Sequence, residues 1–75
     1  MPPSSVTKLH NRLVPTNEEG FISYEETSEG LAHNAIWVVK CKFKGEVKGV
    51  GKGATKSLAK EGAAKEALQK MGFSV

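Results

Sequence analysis

The stretch Lys40–Lys60, KCKFKGEVKGVGKGATKSLAK, decides how the chain is read. It begins inside a strand, reverses at a Gly45-Glu46 turn, and resumes as a third strand at Val47, Gly49 or Val50. Gly49, Gly51 and Gly53 close that strand, and glycine at such positions marks a bulge or a close backbone approach. Thr55 is a good N-cap for a helix from about Lys56 to Met71, with Gly72 at its C′ position. Lys48, Lys52, Lys56 and Lys60 run through the same stretch, so the neighbour that the glycines admit reads as anionic.

Upstream, Ala35–Lys44 alternates along a half-buried strand. Trp37, Val39, Cys41 and Phe43 fall on one face, and Val38, Lys40, Lys42 and Lys44 on the other. On that second face Val38 is a candidate protein-partner contact. Phe21, Ile22 and Tyr24 open a first strand that runs into Glu25, Glu26 and Thr27, and Ser28–Asn34, SEGLAHN, is the loop between the two. Val6, Leu9 and Leu13 form one face of a short helix, capped by Ser4 or Ser5 and ended near Val14 by Pro15. The order is α-β-β-β-α, an α+β fold with a three-stranded antiparallel sheet and both helices packed on one face. The small stripe Ala59, Ala63, Ala64, Ala67, Leu68 and Met71 sets the last helix tight against the sheet. Residues 1–5 read as a disordered lead-in and residues 6–73 as a single domain.

Seventy-five residues make one domain whose core supplies only ~3–5 kcal/mol. The charge is split. Residues 1–30 set Lys8 and Arg12 against five glutamates, net −3, whereas residues 31–75 set nine lysines against three glutamates, net +6. The split suggests one electropositive face and a nucleic-acid or acidic partner; on charge alone a solvated lysine-rich surface is the alternative. Cys41 is the single cysteine, which excludes an internal disulfide framework. No apolar run is long enough to span a membrane. An intracellular protein, cytoplasmic or nuclear, is the expectation, with no cofactor, no membrane and no small-molecule substrate.

Lys56 and Lys60 stand one turn apart at nearly the azimuth of Ala63 and Ala67. Lysines there avoid burial if the first turns of the helix project beyond the sheet. Two ammoniums would then meet the positive end of the helix dipole and its free N–H groups. The alternative is that both snorkel around the edge of the core. Gly49–Ser57 is not a nucleotide-binding loop, because Thr55 stands where Gly must precede Lys-Ser and the chain contains no Asp for Mg²⁺. His10, His33 and Cys41 form no metal-ligand spacing, and Cys41 alternates onto the core face. The chain reads as a non-enzyme.

Gly30-x-x-His33, Trp37-x-Val39, Gly45, Gly49-x-Gly51-x-Gly53, Thr55-Lys56-x-x-Ala59-Lys60 and Ala63-Ala64-x-x-Ala67-Leu68 together resemble a double-stranded RNA-binding domain over roughly Val6–Gly72. The resemblance implies shape-selective, largely sequence-independent binding of double-stranded RNA. It implies that Thr7, Lys8, His10 and Asn11 of the first helix enter one minor groove. Gly30, Leu31, Ala32, His33 and Asn34 would enter the next. Lys52, Thr55, Lys56, Ser57 and Lys60 would meet phosphates across the major groove between them. Three positions depart from the family pattern. Ser57 replaces a second lysine, Leu31 replaces a proline, and Asn11 stands where an acidic residue is common.

The competing function is a domain of the same fold that mediates protein–protein contact or homodimerisation through the sheet face or the third strand. Members used that way generally lose the helix-start lysines and the loop histidine, both retained here. The resemblance also places such domains beside ribonuclease III, adenosine deaminase, helicase or kinase domains.

Overall fold

The structure, a computed structural model, describes residues 4–30 and 35–73. Helix α1 spans Ser5–Leu13, and two 3₁₀ turns, Val14–Thr16 and Glu19–Phe21, lead into the sheet. Strands β1 (Ile22–Glu29), β2 (Ile36–Phe43) and β3 (Glu46–Gly53) are followed by α2 (Lys56–Lys70). The sheet order is β1-β2-β3, antiparallel throughout. This is the expected α-β-β-β-α fold. The alternation in β2 is realised as read, with Val39 and Cys41 fully buried beneath the helices and Trp37 and Phe43 half-buried around them. Leu9 and Leu13 of α1 complete the core with Leu68 and the alanines of α2.

Several boundaries differ from expectation. Ordered helix begins at Ser5, with Ser4 as its cap, inside the segment read as a lead-in. Phe21 does not open β1 but closes a 3₁₀ turn, where it packs edge-to-face on Phe43 at 6.1 Å. β1 runs on through Ser28 and Glu29, which pair with Trp37 and Ile36. The hairpin turns at Lys44-Gly45, not Gly45-Glu46. Both residues have positive φ, 53° and 83°, as a two-residue turn between right-twisted strands requires. Val38 is only 6% exposed and offers little to a partner. It lies on the central strand, so Thr27 and Lys52 flank it in register on both sides.

The glycines of β3 also serve a different neighbour. Cys41 pairs with Gly49 but Lys42 pairs with Val47, so Lys48 is the extra residue of a bulge. Gly49, Gly51 and Gly53 then stand opposite Cys41, Val39 and Trp37, on the helix-covered face. A Cβ on Gly49 would overlap the Ala63 carbonyl, and one on Gly51 would overlap the Ala59 carbonyl and the Ala63 amide. What the glycines admit is the backbone of α2, not an anion.

The helix ends are closed by specific bonds. The Gly72 N–H donates to the Gln69 carbonyl at 3.1 Å and the Phe73 N–H to the Leu68 carbonyl at 2.8 Å. With Gly72 at φ 85°, this is a Schellman ending. At the start of α1, Ser4 Oγ accepts from the Thr7 N–H at 3.1 Å. The Ser5 and Val6 amides donate to Glu61 of α2, at 2.9 Å to Oε2 and 3.2 Å to Oε1.

Burial pushes the Glu61 carboxyl up, but the bonds from the Ser5 and Val6 amides and from the Ser4 and Ser5 side chains outweigh it, and its pKa ends below the usual glutamate value. A carboxyl lowered by folding adds stability that is complete above the unfolded value of about 4.3 and is lost as pH falls through the lower folded one. We therefore expect the urea midpoint to drop as pH falls from about 5 to about 3, with a smaller drop in Glu61→Gln. Glu25, lowered by its bond to Lys42, shares the direction, but it is solvent-exposed and salt screens it. An acid-induced drop at high salt that is the same in Glu61→Gln and the wild type would contradict the assignment to Glu61.

Candidate nucleic-acid interface

Two segments meet at one end of the sheet. Gly30 leaves β1 just beyond the Glu29–Ile36 pair, and Gly53 pairs with Trp37 before the chain enters α2. Gly30 itself has φ 92°, a conformation that only glycine adopts without strain. The four positions after it, Leu31, Ala32, His33 and Asn34, lie outside the described residues.

At the start of α2, Thr55 Oγ1 accepts from the Leu58 N–H at 3.2 Å. Among the described residues the Lys56 and Ser57 amides have no partner. The positive end of the helix dipole is thus open to solvent, with the Ser57 side chain exposed beside it.

Lys56 and Lys60 do not project past the end of the sheet. They settle on aromatic rings of its inner face. Lys56 Nζ lies 4.8 Å from the Trp37 ring centroid and Lys60 Nζ 4.6 Å from that of Tyr24. The negative ring faces attract the ammoniums, by roughly 0.5–1 kcal/mol each at exposed sites, while the lysine stems cover apolar ring surface. Lys56 stays exposed and Lys60 half-buried, so both charges remain accessible.

The ion pairs among the described residues lie elsewhere: Lys42–Glu25 at 2.7 Å, Lys44–Glu18 at 3.6 Å and Lys48–Glu46 at 3.5 Å. Lys52, Lys56 and Lys60 belong to none of them. Lys52 pairs with Val38 across the sheet and emerges from the open face. The strand therefore separates its root from the Lys56–Lys60 pair. Lys48 sits at the bulge, toward the hairpin.

On α1, Thr7, His10 and Asn11 are exposed and Lys8 is half-buried, while Leu9 and Leu13 turn inward. Glu61, one residue beyond Lys60, holds the start of this helix. The support residues Tyr24 and Trp37 and the brace Glu61 were not read as part of the site. Strand alternation places both aromatics on the helix face and could have found them. Nothing in the sequence distinguishes Glu61 from a solvated glutamate.

Among the described residues, Tyr24 and Cys41 are held in their unreactive protonated forms. Burial raises the Tyr24 hydroxyl pKa, helped by Cys41 and Glu61 nearby, and burial raises that of the Cys41 thiol. Both stay protonated near neutral pH, and a thiol held in that form is a poor nucleophile. Among the described residues no cluster of His, Cys, Asp or Glu could hold a metal ion. Among the same residues no helix is long and apolar enough to cross a membrane.

A search of curated proteins gave no match. The family described as "Double-stranded RNA binding motif" matches residues 5–71, which takes in both helices and all three strands. A domain of that kind binds nucleic acid and is not catalytic by itself. The chain belongs to the double-stranded RNA binding motif family.

Proposed function

We propose that residues 5–73 form one unit that binds double-stranded RNA by its shape, with little regard to sequence. In A-form RNA the base edges lie in a narrow major groove, and the shallow minor groove displays 2′-hydroxyls. Thr7, Lys8, His10 and Asn11 of α1 enter one minor groove. The Gly30–Asn34 loop, with His33, enters the next. Lys56 and Lys60 meet phosphates across the intervening major groove, and the open amides of Lys56 and Ser57 add donors. Lys52, from the other face of the strand, and the Thr55 hydroxyl stand at the margin of this contact.

The observation that carries this reading is the Lys56–Lys60 pair. The two ammoniums have no carboxylate partner among the described residues. They are held on aromatic rings beside an open helix N-terminus. Lys42, Lys44 and Lys48, by contrast, are each paired with a glutamate.

The test compares an RNA duplex of about 20 base pairs, long enough for two minor grooves, with the same sequence as duplex DNA and as single strands. Measured at two salt concentrations, binding should favour the RNA duplex and weaken steeply as salt rises. Equal affinity for RNA and DNA duplexes would mean that charge alone is being read.

A further inference from the structure

We propose that Glu61 is a positioning residue for duplex recognition: by holding the Ser5 and Val6 amides, it fixes how far the α1 contact face stands from the Lys56–Lys60 pair. The inference rests on the RNA-binding reading above and adds to it the part that sets the spacing between two contact points.

Helix α1 carries four of the proposed contacts on nine residues, too few turns to persist alone. Its C-terminal end is tied to the sheet through the 3₁₀ turns. Among the described residues, the hydrogen bonds that join it to α2 all end on Glu61. The first three amides of α1 need acceptors from outside the helix. Ser4 takes the Thr7 amide from within the same segment, while Glu61 takes those of Ser5 and Val6 from across the helix pair.

Each carboxylate oxygen receives one amide. A single bond would leave the helix free to pivot about it, whereas two bonds from one rigid carboxylate fix direction as well as distance. A negative group there also meets the positive end of the α1 dipole. Lys60 and Glu61 are adjacent, so one turn of α2 presents an ammonium to the lysine platform and a carboxylate to α1. The distance between the two contacts is thereby set by helix geometry rather than by a loop.

That distance matters because the two duplex forms differ in groove width. The minor groove of B-DNA is about 6 Å wide, and that of A-form RNA is wide and shallow. An α1 free to pivot would keep its attraction to phosphate but lose its preference for one groove.

The test uses Glu61→Gln, in which an amide NH₂ replaces one acceptor oxygen and faces an N–H. Ser4→Ala is its control, since it removes the cap of the same helix end while leaving both amide bonds to Glu61 in place. Amide NMR with residual dipolar couplings gives the α1–α2 orientation in the free proteins, and binding is measured to RNA and DNA duplexes at temperatures where each variant is folded. We expect Glu61→Gln to reorient α1, to weaken RNA-duplex binding about tenfold, and to leave the salt slope and DNA-duplex binding nearly unchanged. Ser4→Ala should melt earlier with its RNA-to-DNA ratio intact.

An unchanged orientation, or an unchanged RNA-to-DNA ratio in Glu61→Gln, overturns the inference while leaving the RNA-binding reading standing. A wild-type chain that ignores RNA duplexes overturns both. Should Glu61→Gln not fold, Glu61→Asp keeps the charge and shortens the reach by about 1.5 Å, and it is judged by the same two comparisons.

Discussion

Gly51→Ala is expected to leave the domain largely unfolded at room temperature. The added Cβ would overlap the Ala59 carbonyl and the Ala63 amide and lie 2.8 Å from the Gly62 carbonyl carbon. All three are backbone atoms of α2, so no rotamer change can clear them, and the helix must lift from β3 or the strand must bend. Overpacking a core costs typically about 1–3 kcal/mol, and an obstacle made of backbone puts this case at the top of that range or above. A domain of this size holds only ~3–5 kcal/mol in reserve. Urea denaturation followed by circular dichroism should show the midpoint driven toward zero. Gly62→Ala is the informative partner. Its Cβ would meet Gly51 Cα at 3.3 Å, so β3 must give by only a few tenths of an ångström, set against a gain in helix propensity of about 1 kcal/mol. A Gly51→Ala midpoint close to that of the wild type would mean that α2 does not sit on β3 as described.

The double variant Lys56→Ala/Lys60→Ala is expected to lose about 10- to 100-fold in RNA-duplex affinity near 0.1 M salt, and the salt slope should fall by about 2, one per phosphate contact. Its stability should fall by no more than roughly 1–2 kcal/mol, the two contacts with Trp37 and Tyr24. The variant that separates charge from position is Lys42→Ala/Lys44→Ala. It removes the same formal charge, but from lysines already paired with Glu25 and Glu18. If binding followed net charge, the two double variants would weaken it alike. With a localised phosphate site, Lys42→Ala/Lys44→Ala should bind within a few-fold of the wild type while Lys56→Ala/Lys60→Ala does not. Equal losses would remove the Lys56–Lys60 pair from its proposed role.

The parts of this fold that can be read from sequence are those encoded locally. The alternation from Trp37 to Phe43, the Thr55 cap, the alanine stripe and Gly72 each depend on residues within a turn or two of one another. What escaped depends on pairs distant in the chain. The glycines of β3 announce close approach but not the approaching partner, and the neighbouring lysines drew the reading toward an anion. The bulge at Lys48 changes which side of the strand each residue faces, and Gly49 beside it signals a bulge or a close approach without saying which. The hairpin turned one residue early because Lys44 accepts a left-handed conformation that its residue type disfavours. Lys56 and Lys60 were recognised as a pair, yet their resting place on Tyr24 and Trp37 is a contact between elements. Glu61 is the extreme case. Its partners lie 55 and 56 positions away and are backbone amides, which no side-chain pattern records.

The seam between β3 and α2 has a thermal consequence. It is built from glycine facing alanine and helix backbone, so it gains close contact while burying few methyl groups alongside many peptide groups. Apolar surface exposed on unfolding raises the heat capacity and polar surface lowers it. This seam therefore adds less to the heat-capacity increment than a leucine-rich interface of the same extent would. The domain's stability should vary gently with temperature, with a broad, shallow maximum, small at its best and slow to fade on either side.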